Sequence, residues 1–167
     1  PLKYEKMKKF FFDPDRNIAT TSRLKTVCFE ETYGRHILRK VIGNLHIERA
    51  LDIGSGEGHD LTLLREYFPK ASLSAIDHKD IHFEKLTNFE IAAYRLNIEK
   101  DKLPFADGDL DFVIANQVLE HIKEIFWINH EVFRVLKPGG FFFIGVPNGL
   151  AFHNRILGNF GFHPTCN

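Results

Sequence analysis

The chain has 167 residues, 44% of them hydrophobic and 26% charged, with 22 basic and 22 acidic side chains in balance. A chain of this length makes one domain that buries roughly two-thirds of its unfolded surface. Its neutral charge argues against a sequence-blind nucleic-acid binder, which needs a cationic surplus to displace counterions, and no run of ~18 apolar residues is present to span a membrane.

Two cysteines, Cys28 and Cys166, stand far apart without metal-ligand spacing. That usage points to a reduced, cytoplasmic protein rather than a disulfide scaffold. Residues 1–20 read as an irregular, solvated arm carrying Lys3, Lys6, Lys8 and Lys9, with a turn at Asp13-Pro14-Asp15. The arm lacks the apolar stretch and cleavage site of a secretory leader. From Ser22 to Asn44 apolar residues recur at helical spacing (Leu24, Val27, Cys28, Ile37, Leu38, Val41, Ile42), with Gly34 dividing the stretch and Gly43-Asn44 ending it.

Short apolar runs then alternate with helical ones. Arg49–Ile53 reads as a strand that ends in Gly54-Ser55-Gly56-Glu57-Gly58. Leu61, Leu64 and Phe68 line one face of a helix closed by Pro69. Further strands are expected over 71–77, 91–96, 110–116 and 141–146. A longer helix before the last strand is marked by Ile122, Ile125, Val132, Phe133 and Leu136, and Pro138-Gly139-Gly140 stops it. Alternating strands and helices imply crossover connections, hence a doubly wound, Rossmann-like α/β domain with a mostly parallel sheet and helices on both faces. The apolar runs Phe112–Ala115 and Phe141–Val146 predict strands buried on both sides. Such sheets bind ligands beyond the carboxyl ends of their strands, where strand order reverses. That rule gathers Gly54–Gly58, Asp77, Asn97, Asn116–His121 and Pro147-Asn148 around one crevice.

The glycine hairpin narrows the ligand. A dinucleotide fingerprint would place its third glycine at position 59, which is His59, and a P-loop needs a Gly-Lys-Ser/Thr run that is missing here. The segment carries Asp52, Glu57 and Asp60 and no cation before Arg65. Those carboxylates repel a pyrophosphate but suit a ligand bearing an ammonium and a sulfonium. Asp77, 25 residues after Asp52, closes the second strand, where a carboxylate either accepts both hydroxyls of a ribose or caps the next helix. His78, Asp80 and His82 lack a third well-placed ligand, so no metal is expected.

With LDIGSGEG, the acidic end of SAID, LPFADGDLDFVIANQVLEHI and VFRVLKPGGFFFIGVPN in this order, the stretch from Leu51 to Asn148 resembles a class I S-adenosylmethionine-dependent methyltransferase of the small-molecule, quinone-biosynthesis-like group. The resemblance implies S-adenosylmethionine as cofactor and direct, in-line methyl transfer to a small-molecule acceptor. It implies that Asp52 and the backbone of Gly54, Ser55 and Gly56 hold the methionine part. Asp77 would bind the ribose hydroxyls, with His78 near the adenine. Asn97 stands where the family usually has Asp, and its amide oxygen can still accept from the adenine amino group. Ile98 would pack on the ring, and Asn116 and Gln117 would line the far side. His121 is the candidate base for an oxygen acceptor; the competing reading is that Glu120-His121 starts a helix and shapes the wall.

The chain then divides into an amino-terminal arm and helices covering the site (1–44) and the cofactor-binding domain (45–167). Acceptor contacts are sought among Tyr33, Arg35, Trp127, Asn148 and His153. The family continues past its fifth strand with a helix and an antiparallel strand pair, whereas 21 residues follow Val146 here; Ala151–Leu157 supplies a short helix. The carboxyl-terminal strand pair is therefore expected to be missing, by truncation or because a partner covers the edge, such as a second copy in a homodimer. DNA amino-methylating and cytosine-carbon enzymes are set aside, because Asn116-Gln117-Val118-Leu119 holds neither a Pro-Pro-aromatic run nor a cysteine. The competing functions are a non-catalytic cofactor-binding module that supports a partner, and a nicotinamide oxidoreductase, which the acidic hairpin disfavours.

Overall fold

The structure is a computed structural model, and it describes residues 34–147. The expectations for the arm, for the helix over Ser22–Tyr33, for Ala151–Leu157 and for both cysteines fall outside the described residues. The elements run α1 (Arg35–Ile42), β1 (Arg49–Ile53), α2 (His59–Tyr67), β2 (Ser72–Asp77), α3 (Phe83–Asn88), β3 (Ala92–Arg95), β4 (Leu110–Asn116), a single 3₁₀ turn (Leu119–His121), α4 (Ile125–Val135) and β5 (Leu136–Gly145). All five strands are parallel, in the order β3-β2-β1-β4-β5. The chain builds outward from β1 to β3 and then crosses back to lay β4 on the other side of β1, so the order reverses between β1 and β4.

Side-chain alternation along each strand divides the core into two layers. Ala50, Leu73, Ala75, Phe112 and Ile114 face one side and pack with Leu38 and Ile42 of α1, Leu61 and Leu64 of α2 and Leu86 of α3. Leu51, Ile53, Ile76, Val113 and Ala115 face the other and pack with Ile128, Val132 and Val135 of α4. α1 thus shares the core of the sheet, and one compact unit spans Tyr33–Val146.

Three expectations need correction. In α4 the buried stripe is Ile128, Val132 and Val135, at helical i, i+4, i+7 spacing, while Phe133 is 83% exposed and Ile125 also faces outward. Leu136 already belongs to β5, where it pairs with Leu110, and the next pair is Phe112 with Phe141. Lys137-Pro138-Gly139-Gly140 therefore bulges within the strand instead of following the helix. β5 is also not buried on both sides: Phe141 is 50% and Ile144 47% exposed. Among the described strands it lies at the end of the sheet order, with β4 as its one neighbour. α3 escaped the sequence pattern because six residues with two apolar positions give no periodicity.

Two polar ties hold the loops to this frame. Asp111 accepts from the backbone N–H groups of Glu48 (3.0 Å) and Arg49 (2.8 Å) and from Lys137 Nζ, pinning the amino ends of β1, β4 and β5 together. Buried Glu131 accepts two bonds from Arg134, 2.9 Å from Nε and 2.7 Å from Nη2, and one from the N–H of Leu103 at 2.9 Å. Arg134 also donates to the carbonyls of Leu103 and Phe105. The Leu103-Pro104-Phe105 segment is a strap on α4.

Candidate functional site

β1 ends in a hairpin whose backbone only glycine accommodates readily. Gly54 has φ +71° and Gly58, at the start of α2, φ +79°. A Cβ on Gly54 would stand 2.4 Å from Val118 Cγ2, and one on Gly58 2.4 Å from Leu86 Cδ2. The hairpin is stitched to β2, since the N–H groups of Gly54 and Ser55 donate to the carbonyl of Ile76 at 2.7 and 3.2 Å. Gly56 N–H donates to Asp77 Oδ2 at 3.1 Å.

Beside the hairpin lies a cleft of about 830 Å³, with Gly54, Asp77, Asn97, Ile98, Gln117 and His121 on its wall. His78 lines it as well, with Nδ1 3.1 Å from Asp77 Oδ1. Asp77 Oδ1 also accepts from Lys79 N–H at 3.0 Å. Each Asp77 oxygen thus has one backbone partner and keeps acceptor capacity toward the cleft. Asn97 is bound into its own turn: its N–H donates to Asp101 Oδ2 at 2.8 Å and its Oδ1 accepts from Glu99 N–H at 3.1 Å. Gln117 takes φ +60°, costly for a side-chain-bearing residue, and its N–H donates to the carbonyl of Gly145 at 2.7 Å. That bend turns the chain from β4 along the cleft. His121 ends the 3₁₀ turn with its side chain exposed. No side chain among the described residues hydrogen-bonds its ring.

Asp52, Ser55, Gly56 and Asn116 are not on the cleft wall. Asp52 lies beneath the hairpin, 3% exposed, and Ser55 is buried next to it. Burial pushes the Asp52 carboxyl well above its ordinary range; Asp60 and Asp77 push the same way, and Arg35 pulls it back. Asn116 Nδ2 donates to Asp60 Oδ2 at 2.9 Å, and Arg35 Nε to Asp60 Oδ1 at 2.6 Å. Glu57 is exposed and paired with Lys85 Nζ at 3.1 Å, a contact that holds its carboxyl below the usual range. The hairpin's charge is therefore less bare than the sequence suggested. Arg35 and Lys85 reach two of its three carboxylates from elements distant in the chain.

Two buried oxygens, Ser55 Oγ and Asn116 Oδ1, have no hydrogen-bond partner among the described residues. Val118, within the expected Asn116–His121 stretch, lines the cleft, whereas sequence reasoning missed Ile76, Arg95, Leu96, Glu99 and Ile122, which complete the wall. It also missed that Glu99 Oε1 accepts from Lys123 N–H at 2.7 Å, joining the loop after β3 to the loop before α4. These backbone contacts carry no periodic signal. Of the residues sought as acceptor contacts, Arg35 pairs with buried Asp60, and Trp127 lies off the cleft wall, its Nε1 buried without a partner among the described residues. Tyr33, Asn148 and His153 fall outside the described residues. Asp80 pairs with Arg95 at 3.5 Å, and among the described residues no group of three or more His, Cys, Asp or Glu could hold a metal ion. No helix among them is long and apolar enough to cross a membrane.

Comparison with known proteins bears on this arrangement. A family model described as a methyltransferase domain matches residues 51–144, from β1 to the end of β5. The sterol 24-C-methyltransferase erg6 of Schizosaccharomyces pombe is 29% identical over 129 residues, covering 71% of this chain and 33% of that protein. The ubiquinone/menaquinone biosynthesis C-methyltransferase UbiE of Desulfotalea psychrophila is 25% identical over 122 residues, covering 71% of this chain and 49% of that protein. The crystal structure of the trans-methyltransferase CalH in complex with SAH aligns with a TM-score of 0.55 and 26% identity, over 72% of this chain and 40% of that one. The chain spans about a third to a half of the length of these curated relatives.

Proposed function

The chain belongs to the methyltransferase-domain family, which takes S-adenosylmethionine as methyl donor, and on that footing we propose that it methylates a small-molecule acceptor held at the carboxyl end of the sheet. The observation that carries this reading is the buried Ser55 Oγ, without a hydrogen-bond partner among the described residues, in a glycine hairpin that follows the buried Asp52. A buried acceptor without a donor costs about 1–3 kcal/mol. An ammonium supplies N–H donors to such oxygens and a positive charge that favours an ionised Asp52. The residues therefore fit the methionine part of the cofactor. A pyrophosphate would bring only acceptors and negative charge.

In this reading Asp52, Gly54, Ser55 and Gly56 hold the amino-acid end. Asp77 accepts from the ribose hydroxyls, and His78, Asn97, Ile98 and Gln117 line the adenosine side of the cleft. When bound, S-adenosylmethionine supplies a methyl group on a sulfonium, open to direct displacement. The protein's work is then to orient the two reactants and exclude water. His121 takes the proton where the acceptor is a hydroxyl; a carbon or nitrogen acceptor with a lone pair or π electrons in place needs it less. The relatives named for sterols and quinones support a small organic acceptor.

Calorimetry with S-adenosylmethionine, S-adenosylhomocysteine and NAD in parallel tests the reading. Binding of the first two without the third is expected. Tight NAD binding without them overturns it.

A further inference from the structure

Two stretches of the cleft wall come from strands that the sheet keeps apart. Asn97, Ile98 and Glu99 belong to the loop after β3, whereas Gln117, Val118, His121 and Ile122 belong to the segment between β4 and α4. In the strand order β2 and β1 stand between β3 and β4. The apolar side chains of both stretches, Ile98 on one and Val118 and Ile122 on the other, rest on the same core layer. Among the described residues no backbone–backbone hydrogen bond joins the two. The polar link between them is a single carboxylate: Glu99 Oε1 accepts from the N–H groups of Lys123 at 2.7 Å and Glu124 at 3.4 Å.

Both ends of that link are held. On the Glu99 side the chain makes a tight turn. The N–H of Glu99 donates to Asn97 Oδ1 at 3.1 Å, and those of Lys100 and Asp101 donate to the Asn97 carbonyl at 3.0 and 2.8 Å. The other end is the start of α4, where Glu124 makes no capping bond with its own side chain. Backbone donors at a helix amino end lack partners inside the helix and favour a negative one. Glu99 supplies it from 24 residues away. The bond from Lys123 N–H, and after it that from Glu124 N–H, holds the Glu99 carboxyl below its usual range. His121 and Ile122 of the cleft wall directly precede Lys123, so a hold on Lys123 is a hold on them.

We infer that Glu99 is a positioning residue, clasping the wall after β3 to the wall after β4 at the spacing in which they hold the adenosine part of the cofactor. This rests on the cofactor assignment above and adds what keeps the adenosine side in shape before a ligand arrives. A wall left loose must be ordered on binding, and that ordering subtracts from affinity.

Glu99→Ala opens the clasp, and Glu99→Gln keeps an acceptor oxygen at the same reach without the charge. Calorimetric Kd values for the full chain are read with S-adenosylhomocysteine and with 5′-methylthioadenosine, which keeps the adenosine but lacks the amino-acid end. The expected result is that Glu99→Ala weakens both ligands roughly five- to tenfold, while Glu99→Gln stays within about twofold of the parent. Lys123→Pro removes the nearer donor and leaves Glu99 in place. Ile122 already has the extended backbone (φ −99°, ψ 132°) that a following proline requires. It should weaken both ligands as Glu99→Ala does, and the double variant should be no worse than the worse single one. Unchanged Kd values in Glu99→Ala, whether or not its Tm falls, would reduce Glu99 to support for α4 and overturn the inference. Equal weakening in Glu99→Gln and Glu99→Ala would assign the effect to charge and overturn it too. If the unaltered chain binds neither ligand, the cofactor assignment itself falls.

Discussion

Asp52 and Asp77 are both carboxylates at the carboxyl ends of neighbouring strands, yet their surroundings give them opposite tasks. Asp77 is anchored by two backbone N–H groups and opens on the cleft. Under the proposed role as acceptor from the ribose hydroxyls, replacing it with alanine should weaken S-adenosylhomocysteine by about 1–3 kcal/mol, a factor of roughly 5 to 150 in Kd. An unchanged Kd by calorimetry would remove that role. Asp52 is enclosed, and burial raises its pKa. In the unfolded chain it ionises near pH 4, while in the native protein it keeps its proton longer, so this residue lowers stability as pH rises from about 4 to its native pKa. Asp52→Asn lacks that loss. Urea titrations at rising pH above about 4 should show the variant gaining stability relative to the parent. The same variant should bind S-adenosylhomocysteine more weakly, because the ammonium loses its counter-charge. A stability gain joined to an affinity loss separates a ligand-facing carboxylate from a structural one.

At the scale of elements, the strap on α4 shows what part of the architecture is polar. Glu131 is 1% exposed, and its carboxyl lies below the usual range, first because Arg134 donates to it and then because Leu103 N–H does. That stabilisation is present above the unfolded pKa and fades as pH falls through the native one. Glu131→Gln leaves Arg134 with only the exposed Asp107, 2.8 Å away, as a charge partner and should cost about 3 kcal/mol at neutral pH, measured by urea unfolding, with a smaller difference near pH 3. β1 and β4 were legible to the residue in the sequence, since β1 runs straight into a glycine cluster and β4 is an apolar run closed by Asn116. The crevice-facing ends of the strands were legible for the same reason. The strap, the α3 turn and the Arg35–Asp60–Asn116 cluster were not. Arg35 meets Asp60 only because α1 and α2 pack on one face of the sheet, and no spacing along the chain encodes that. The exposed Phe133 was misplaced because a residue's apolarity does not say which stripe of a helix meets the core, and the sheet selects Ile128, Val132 and Val135 instead.

On the scale of the whole molecule, the reversal of strand order between β1 and β4 brings the hairpin, Asp52 and Asn116 to one place. The ends of β1, β2 and β4, the turn after β4 and the loop after β3 all converge on this region. A ligand there touches parts of the chain that come from separate crossovers, and its binding free energy becomes folding free energy for the unit as one body. At a free concentration 100 times its Kd, S-adenosylhomocysteine should add about 2.7 kcal/mol to stability. For a chain of this size that raises Tm by roughly 5–10 °C. Scanning calorimetry reads the shift directly, with NAD at the same concentration as the control that should leave Tm in place. A rise confined to one of two separate transitions would mean that the sheet does not melt as a unit, and the switch-point account of the site would then fail even if the ligand binds.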